Sequence, residues 1–318
     1  MPDSLSAPAN LTSDPQRPKR PAIGTTAAPA RTPVPAGTAS PAGTATPGLR
    51  SFPRRWFRAV LLGLPGIVML AVQFVPPQAA LPPGLRDASP VLLALLAALN
   101  PLLLLMAAAA VGAAVAPGTG LRSIVASAWR PRPDDPTAWT RLAPHLPVAF
   151  ACGLGVAVLL HLGDRAFTPL LGEQWAAVQA RATGPVSLGG LATGIFYGGF
   201  TEEVMMRWGV MGLVVWLALR LPGQRSRAPT TGVPPPVPGP IAAWIGIVVA
   251  AALFGAGHLP AVAMLSELTP LLIVRTVGLN LVGGLVYGWL FWRRNLESAI
   301  AAHAATHVGF ALLRWSGL

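Results

Sequence analysis

The chain has 318 residues and a net charge of +12, yet only 11% of its residues are charged and 53% are hydrophobic. Soluble domains carry about 25% charged residues, so this composition excludes a protein whose whole surface faces water. A nucleic-acid partner is also disfavoured, because the basic residues are not interleaved with aromatic residues on any predicted folded surface.

The N-terminal segment differs in composition from the rest of the chain. Residues 1–55 are rich in Pro, Ala, Thr, Ser and Gly without periodicity, which predicts a disordered tail. This tail is not a secretory signal, because no apolar core appears before residue 59. Residues 56–318 are predicted to form one transmembrane domain, interrupted by a Pro-rich connector at 222–240.

Separated apolar runs follow the tail, each close to the roughly 20 residues that cross a bilayer as a helix. Helices are expected because backbone groups in lipid must pair within their own segment, and the alternation typical of a barrel is absent. The predicted fold class is therefore all-α, a polytopic membrane helix bundle of about seven transmembrane helices. The predicted segments are 59–75, 90–115, 146–163, 187–219, 241–258, 276–292 and 296–313. The overlong segment 187–219 is either one tilted helix or a helix with a break.

Arginine is distributed unevenly between the linkers. It is abundant before the first segment, in 116–145, in 220–240 and at Arg293 and Arg294, and sparser in 76–89, 164–186 and 259–275. The positive-inside rule then predicts a cytoplasmic N-terminus, with basic residues against anionic lipid heads. The preference for Arg over Lys and the richness in Ala, Pro and Gly indicate a GC-rich bacterial genome. We therefore expect a multi-pass protein of the bacterial inner (cell) membrane.

Ionisable residues are rare inside the predicted segments and therefore informative, since burying a charge at a helix centre costs about 2.5–3.5 kcal/mol. Two of the five glutamates are adjacent, at Glu202 and Glu203. Arg207 is four residues after Glu203 and shares its helix face, whereas Glu202 points roughly 100° away. Either this is a structural ion pair near a helix end, or Arg207 holds Glu203 and leaves Glu202 free as a general base on water.

Three histidines occur in other predicted membrane segments. His258 ends an apolar helix just before Pro260, where it is either a hydrogen-bonded core residue or exposed at the helix end. His303 and His307 are four residues apart on one helix face. Such a pair can share a metal ion or bridge helices by hydrogen bonds. The single cysteine, Cys152, excludes an intramolecular disulfide and a cysteine metal cluster.

If these helices pack together, their polar groups meet in one site, because exposure to lipid is costly. Three classes of function use such a site: a hydrolase that activates water within the membrane, an ion-coupled transporter, and a non-catalytic immunity or scaffold protein. Transport is weakened by the absence of duplicated halves in the sequence.

The motifs E-E-x-x-x-R at 202–207, F-x-x-x-H at 254–258 and H-x-x-x-H at 303–307 resemble those of the CPBP family. That family joins the type II CAAX prenyl endopeptidases (CAAX prenyl protease 2-like) with bacteriocin-processing and immunity proteins of the ABI type. The stretches 283–290 and 293–303 are also similar to its last two helices. The resemblance covers about 145–314, the predicted catalytic core. One residue departs from the pattern, because the family usually has Asn or Asp at the position of His307.

The resemblance implies a membrane endopeptidase that acts on a membrane-associated peptide or protein substrate, with or without a lipid modification. It implies catalytic roles for six residues: Glu202 or Glu203 as the base with His258 assisting, Arg207 holding the second glutamate, and His303 and His307 at the oxyanion. Family members have been interpreted both as metal-dependent and as metal-free, so Zn²⁺ is either bound by Glu203, His258, His303 and His307 or absent. Of the two glutamates, Glu202 is the predicted base, because Glu203 is held by Arg207.

Overall fold

The computed structural model describes residues 51–73, 81–126, 136–182, 186–221 and 237–317. Every regular element in these ranges is helical, which confirms the predicted all-α class. Residues 1–50 of the predicted tail and most of the predicted connector lie outside the described residues. The α-helices are α1 (Phe52–Gln73), α2 (Pro90–Thr119), α3 (Ala138–Leu142), α4 (Leu146–Phe167), α5 (Gly172–Ala182), α6 (Leu188–Thr193), α7 (Gly212–Ala218), α8 (Pro240–Gly257), α9 (Leu259–Ala263), α10 (Pro270–Arg293) and α11 (Leu296–Trp315), and two π-helical stretches, π1 (Gly194–Glu202) and π2 (Val204–Met211), lie between α6 and α7.

Six stretches of the described helices are long and apolar enough to cross a membrane. They correspond to six of the seven predicted segments: α1, α2, the stretch from α3 through α4, the stretch from α8 through α9, α10 and α11. The remaining predicted segment, 187–219, is also helical. It runs as α6, π1, π2 and α7 without leaving the helical conformation. The protein is therefore an integral, multi-pass helix bundle.

The first helix begins earlier than the sequence predicts. Helix α1 starts at Phe52 rather than at 59, so it takes in the last residues assigned to the disordered tail. Arg55 is 7% exposed and its Nε donates to the carbonyl of Ala113, while Arg58 donates to the carbonyl of Val125. Bonds to carbonyls of α2 and the loop after it therefore stabilise Arg55, which composition alone assigns to the tail, and Arg58, which comes just before the first predicted segment.

The helix between 188 and 218 contains two successive π-helical stretches around Glu202 and Glu203. A π-helix has i to i+5 hydrogen bonds and usually lasts a single turn, frequently at a functional site. Small residues bring α1 and α2 close to it. A Cβ on Gly66 would lie 2.4 Å from the carbonyl oxygen of Phe196, and one on Gly209 would lie 2.7 Å from Cβ of Ala108. Such contacts are typical of packed membrane helices.

The helix ends form two faces of the bundle. We call one of them the Arg-rich face. It contains the start of α1, the end of α2, the starts of α4, α8 and α11, and the end of α10. Here the Glu297 carboxylate accepts hydrogen bonds from Ser123 Oγ (2.6 Å) and from the backbone N–H groups of Ile124 (2.8 Å) and Val125 (2.9 Å). Arg294 also donates to His145 Nδ1 at 2.9 Å. The first two helices are thereby joined to the last one.

The other ends of these helices form the opposite face. Arg275, near the start of α10, forms an ion pair with Asp164, near the end of α4. Gln179 of α5 donates to the same carboxylate at 2.7 Å, and the Arg275 guanidinium lies 4.7 Å from the ring of Trp175. These contacts hold α5 against the ends of α4 and α10.

Candidate active site

A cavity of about 180 Å³ lies within the bundle, between α4, the α6–π1 stretch, α8, α10 and α11. Four of the predicted site residues line it: Glu202, His258, His303 and His307. The polar groups of three separate segments therefore meet in one place, as expected if exposure of these groups to lipid is costly. The other two predicted residues, Glu203 and Arg207, lie behind this lining.

Glu203 is fully buried and both of its oxygens face partners. Oε1 lies 2.9 Å from Nδ1 of His303, and Oε2 lies 3.2 Å from Nε of Arg207. The contact with Arg207 is an ion pair, but its angle is too poor for a hydrogen bond. The ion pair expected from the i, i+4 spacing is therefore present, and it commits Glu203 to a supporting position.

Arg207 is fully buried as well, and its guanidinium lies beside the Glu203 carboxylate, one backbone carbonyl and two aromatic rings. Its Nη2 donates to the carbonyl of Gly284 at 3.3 Å. The guanidinium carbon lies 5.0 Å from the centre of the Phe254 ring and 5.4 Å from that of Tyr287. Cation–π contacts of this kind help to stabilise a guanidinium that is removed from water.

Glu202 contrasts with its neighbour. Its side chain lines the cavity, and among the described residues the structure gives it no hydrogen bond and no ion pair. An unpaired carboxylate facing a cavity is available for a water molecule or a substrate group. The two adjacent glutamates therefore occupy different environments, Glu203 bonded behind the cavity and Glu202 open to it.

His258 follows the last residue of α8 and reaches the cavity from the helix end. Its Nδ1 lies 2.8 Å from the carbonyl oxygen of Phe254, so Nδ1 carries the hydrogen in the neutral ring. The Phe254 ring meets the imidazole edge to face, with centroids 4.8 Å apart. This arrangement fixes the ring and leaves Nε2 as the nitrogen that can accept a proton.

His303 is held by contacts on several sides. Besides the bond from Nδ1 to Glu203, its ring stacks on Tyr287 at 4.5 Å with an interplanar angle of 16°. The Tyr287 hydroxyl lies 2.7 Å from Oγ1 of Thr306, which in turn lies 2.9 Å from the carbonyl of Gly153. Since Thr306 donates to a carbonyl, Tyr287 donates to Thr306. This relay fixes the plane of the His303 ring.

His307 stacks on the other side of His303, with ring centroids 5.2 Å apart. Two glycines of π1 make room for it. A Cβ on Gly194 would lie 2.6 Å from Nδ1 of His307, and one on Gly198 would lie 2.4 Å from its Nε2. The imidazole at the position where the family usually has an amide or carboxylate therefore fits a space that these glycines leave open.

The predicted zinc ligands Glu203, His258, His303 and His307 do not fit a metal site in this structure. Within the described ranges, no group of three or more His, Cys, Asp or Glu side chains has the geometry of one. Both oxygens of Glu203 already face His303 and Arg207, whereas a zinc site needs three or four ligands directed at one point. We therefore derive no chemical step from a metal ion.

Sequence reasoning missed several polar residues of the cavity. Both tyrosines of the chain, Tyr197 and Tyr287, line it, as do Asn280 and Thr306. Asn280 donates through Nδ2 to the carbonyl of Thr276 at 2.8 Å, which leaves its Oδ1 without that bond. The signal was present in the sequence, because a polar side chain inside an apolar membrane segment tends to face a cavity or a neighbouring helix.

The fold and the site together define an integral membrane protein with an internal cavity in which carboxylate and imidazole groups meet. Residues 184–309 match a family model described as type II CAAX prenyl endopeptidase Rce1-like. This match contains all six predicted site residues and confirms the resemblance inferred from the motifs. At the level of the family, it supports an intramembrane protease of the CAAX type. No curated protein and no solved structure matches the chain.

Proposed function

We propose that the protein is an intramembrane endopeptidase in which Glu202 and His258 activate a water molecule. The observation that carries this proposal is the division between the adjacent glutamates. Glu203 is hydrogen-bonded to His303 and ion-paired with Arg207 behind the cavity, and Glu202 faces the cavity with no hydrogen bond or ion pair among the described residues. A base must be able to reach a water molecule, and Glu202 is the carboxylate that meets this requirement.

In the proposed reaction, Glu202 takes a proton from a water molecule that also contacts Nε2 of His258. The resulting hydroxide attacks the carbonyl carbon of the scissile peptide bond and forms a tetrahedral oxyanion. Glu202 then delivers the proton to the leaving nitrogen as the C–N bond breaks. General acid–base catalysis of this kind contributes about 10²–10⁴-fold to the rate.

His303 and His307 are the proposed hydrogen-bond donors to the oxyanion. With Nδ1 donating to Glu203, Nε2 donates to the oxyanion in the imidazolium form of His303, in which both ring nitrogens carry a hydrogen. Its ring is fixed before substrate arrives by the stack on Tyr287 and by the relay through Thr306. Preorganised donors stabilise developing charge because they need no reorientation during the reaction. Arg207 and Glu203 act as positioning residues in this scheme.

A non-proteolytic immunity or scaffold role is the second candidate. The observation that favours it is His307, which replaces the amide or carboxylate of the family pattern. In that case the polar residues would only stabilise the bundle.

We further propose that the N-terminus is cytoplasmic, that the protein contacts anionic lipids through its Arg-rich face, and that it resides in a bacterial inner membrane.

A matched pair of variants tests the proposal. Glu202→Gln keeps the size of the side chain and removes the base, while Glu173→Gln makes the same change at an exposed position of α5. The probe is a mixed-sequence fluorogenic peptide library added to the full chain in proteoliposomes. We expect Glu202→Gln to lose at least about 100-fold in cleavage rate with an unchanged melting temperature, and Glu173→Gln to match the wild type.

Equal cleavage by the wild type and Glu202→Gln would contradict the role of Glu202, and no cleavage by the wild type would favour the non-proteolytic candidate. Glu203→Gln is a poorer probe, because removing one partner of a buried ion pair costs about 3–5 kcal/mol and threatens the fold.

The same assay with a zinc chelator tests the metal prediction. We expect the cleavage rate to be unchanged and zinc to be far below one ion per chain.

A further inference from the structure

The cavity lies at about mid-length of α10 and α11, but on the other three segments that line it, it lies nearer the opposite face. Helix α8 reaches it only at its C-terminal end, through Phe254 and His258. Helix α4 contributes Leu160 from its C-terminal half, and the stretch 188–218 contributes residues from Thr193 to Glu202, all in its first half. These three portions of the chain approach the opposite face, so the cavity is displaced towards it.

Towards the Arg-rich face the bundle is filled. On the segments that carry the site, the residues one or two turns nearer that face are large and buried. Met211 follows Arg207, Ile247 precedes Phe254, and Leu290 follows Tyr287; each of these apolar side chains is 0% exposed. A substrate cannot reach Glu202 through this packed layer. Access is therefore from the opposite face or from the lipid beside it.

The arginines give this geometry a direction in the membrane. Of the 23 lysines and arginines, five lie in linkers or helix ends on the side of the opposite face: Arg86, Arg165, Arg181, Arg275 and Arg314. Apart from the buried Arg207, the other 17 come in sequence before Ala59, between α2 and α4, between α7 and α8, or at the end of α10. These parts of the sequence border the helix ends on the side of the Arg-rich face. The positive-inside rule assigns the side with more Lys and Arg to the cytoplasm.

Apolar side chains are exposed where the elements around the cavity reach the opposite face. Leu188, the first residue of α6, is 79% exposed, and Met264 and Leu265, directly after α9, are 84% and 61% exposed. Exposed apolar groups at the end of a membrane bundle fit the interface with lipid. They also fit a substrate that is itself held at the membrane surface.

We infer that the cavity opens to the non-cytoplasmic side of the membrane and receives a peptide segment from that side, such as the outer part of a membrane-anchored or exported protein. The direction of opening rests on the packing and the charges, whereas the cleavage of that segment rests on the proposed function. A prenylated C-terminus does not fit this opening, because prenyl groups are added to cytoplasmic proteins and leave them at the other leaflet.

Cysteine labelling tests the opening without any assumption about catalysis. The background is the full chain with Cys152→Ser, into which one new cysteine is introduced at a time. Thr193→Cys marks the cavity. Ala261→Cys marks the opposite face and Ala138→Cys marks the Arg-rich face, because both alanines are exposed. The probe is a membrane-impermeant maleimide added to sealed right-side-out or inverted vesicles. We expect Thr193→Cys and Ala261→Cys to react at least tenfold more in right-side-out vesicles, and Ala138→Cys to show the reverse.

Reaction of Thr193→Cys only from inverted vesicles, or from neither side, overturns the inferred opening. Reaction of Ala261→Cys from inverted vesicles overturns the orientation. In a separate arm, the fluorogenic peptide library is added outside each kind of vesicle containing the unsubstituted protein. We expect cleavage at least tenfold faster with right-side-out vesicles, and faster cleavage with inverted vesicles would contradict the inference. No cleavage in either case counts against the proposed function alone, since the labelling still decides the direction of opening.

Discussion

At the scale of single residues, the two adjacent glutamates show how one sequence motif divides into two roles. A buried carboxylate without partners is costly, and Glu203 avoids this cost through Arg207 and His303. Glu202 avoids it differently, because its side chain faces a cavity large enough to hold water. The same motif thus provides a structural anchor and a group open to solvent or substrate.

His307 is the residue that departs from the family pattern, and its replacement by the family's amide is informative. We expect His307→Asn to keep the cleavage rate within about tenfold of the wild type, because an amide also donates hydrogen bonds and is smaller than imidazole. His307→Leu should lose about 10²–10³-fold, the usual effect of removing an oxyanion donor. The measurement is the rate of cleavage of the peptide library. Equal activity of the two variants would show that His307 makes no hydrogen bond to the reacting group.

The sequence predicted which ionisable residues would meet, because so few occur in apolar segments that each one needs a polar environment. It did not predict Tyr287 and Thr306, whose role depends on a contact between α10 and α11. It also left open whether Glu203, His258, His303 and His307 bind Zn²⁺. Only the three-dimensional arrangement shows that Glu203 uses both oxygens for His303 and Arg207.

At the scale of helices, the stretch from 188 to 218 is the element that the sequence described least well. Its composition and length predicted a membrane segment but left a tilt or a break as alternatives. The structure has neither a loop nor a gap there, but π-helical turns. Hydrophobic composition cannot distinguish i to i+5 from i to i+4 hydrogen bonding, because the packing of neighbouring helices determines it.

The contact between α1 and π1 provides a test of this packing. A Cβ on Gly66 would lie 2.4 Å from the carbonyl oxygen of Phe196 and 2.5 Å from Cα of Tyr197, and backbone atoms cannot move aside easily. We expect Gly66→Ala to destabilise the protein by about 1–3 kcal/mol and to lower the cleavage rate, because π1 carries Glu202. The measurements are the melting temperature in detergent and the peptide assay.

Gly155→Ala is the matched control, because no heavy atom of the residues that the structure describes lies within 4 Å of the Cβ that would be added, other than those of its own local helix and chain neighbours. An alanine in a helix is favoured over glycine by about 0.5–1 kcal/mol, so this variant should be at least as stable as the wild type. A similar loss of stability in both variants would show that the close approach of α1 and π1 is not the cause.

At the scale of the whole molecule, the carboxylate of Glu297 joins the start of the last helix to the loop after the second one. It accepts three hydrogen bonds from residues that are 172 to 174 positions away in the sequence. Glu297→Ala leaves these donors without their acceptor, and each buried donor that is left unsatisfied costs about 1–3 kcal/mol. We expect a clear fall in the melting temperature and faster proteolysis of the 121–126 loop.

The exposed Glu173→Ala is the control for this change and should leave both measurements unchanged. An unaltered melting temperature in Glu297→Ala would show that the junction does not contribute to the stability of the bundle. No motif or spacing in the sequence indicated this junction. Glu297 lies at the start of a helix, where a carboxylate is common, and the loop that it binds carries no motif.

The position of His303 and His307 on the last helix also has a consequence for biosynthesis. A chain that is still being translated can insert Glu202 and His258 into the membrane, but it lacks both imidazoles until the final helix has emerged from the ribosome. Until then Glu203 lacks the hydrogen bond with His303 and has only the ion pair with Arg207 on its own helix. If the proposed function is correct, the hydrolytic centre is therefore incomplete in any chain that lacks α11, and such a partly synthesised chain should not cleave neighbouring proteins in the same membrane.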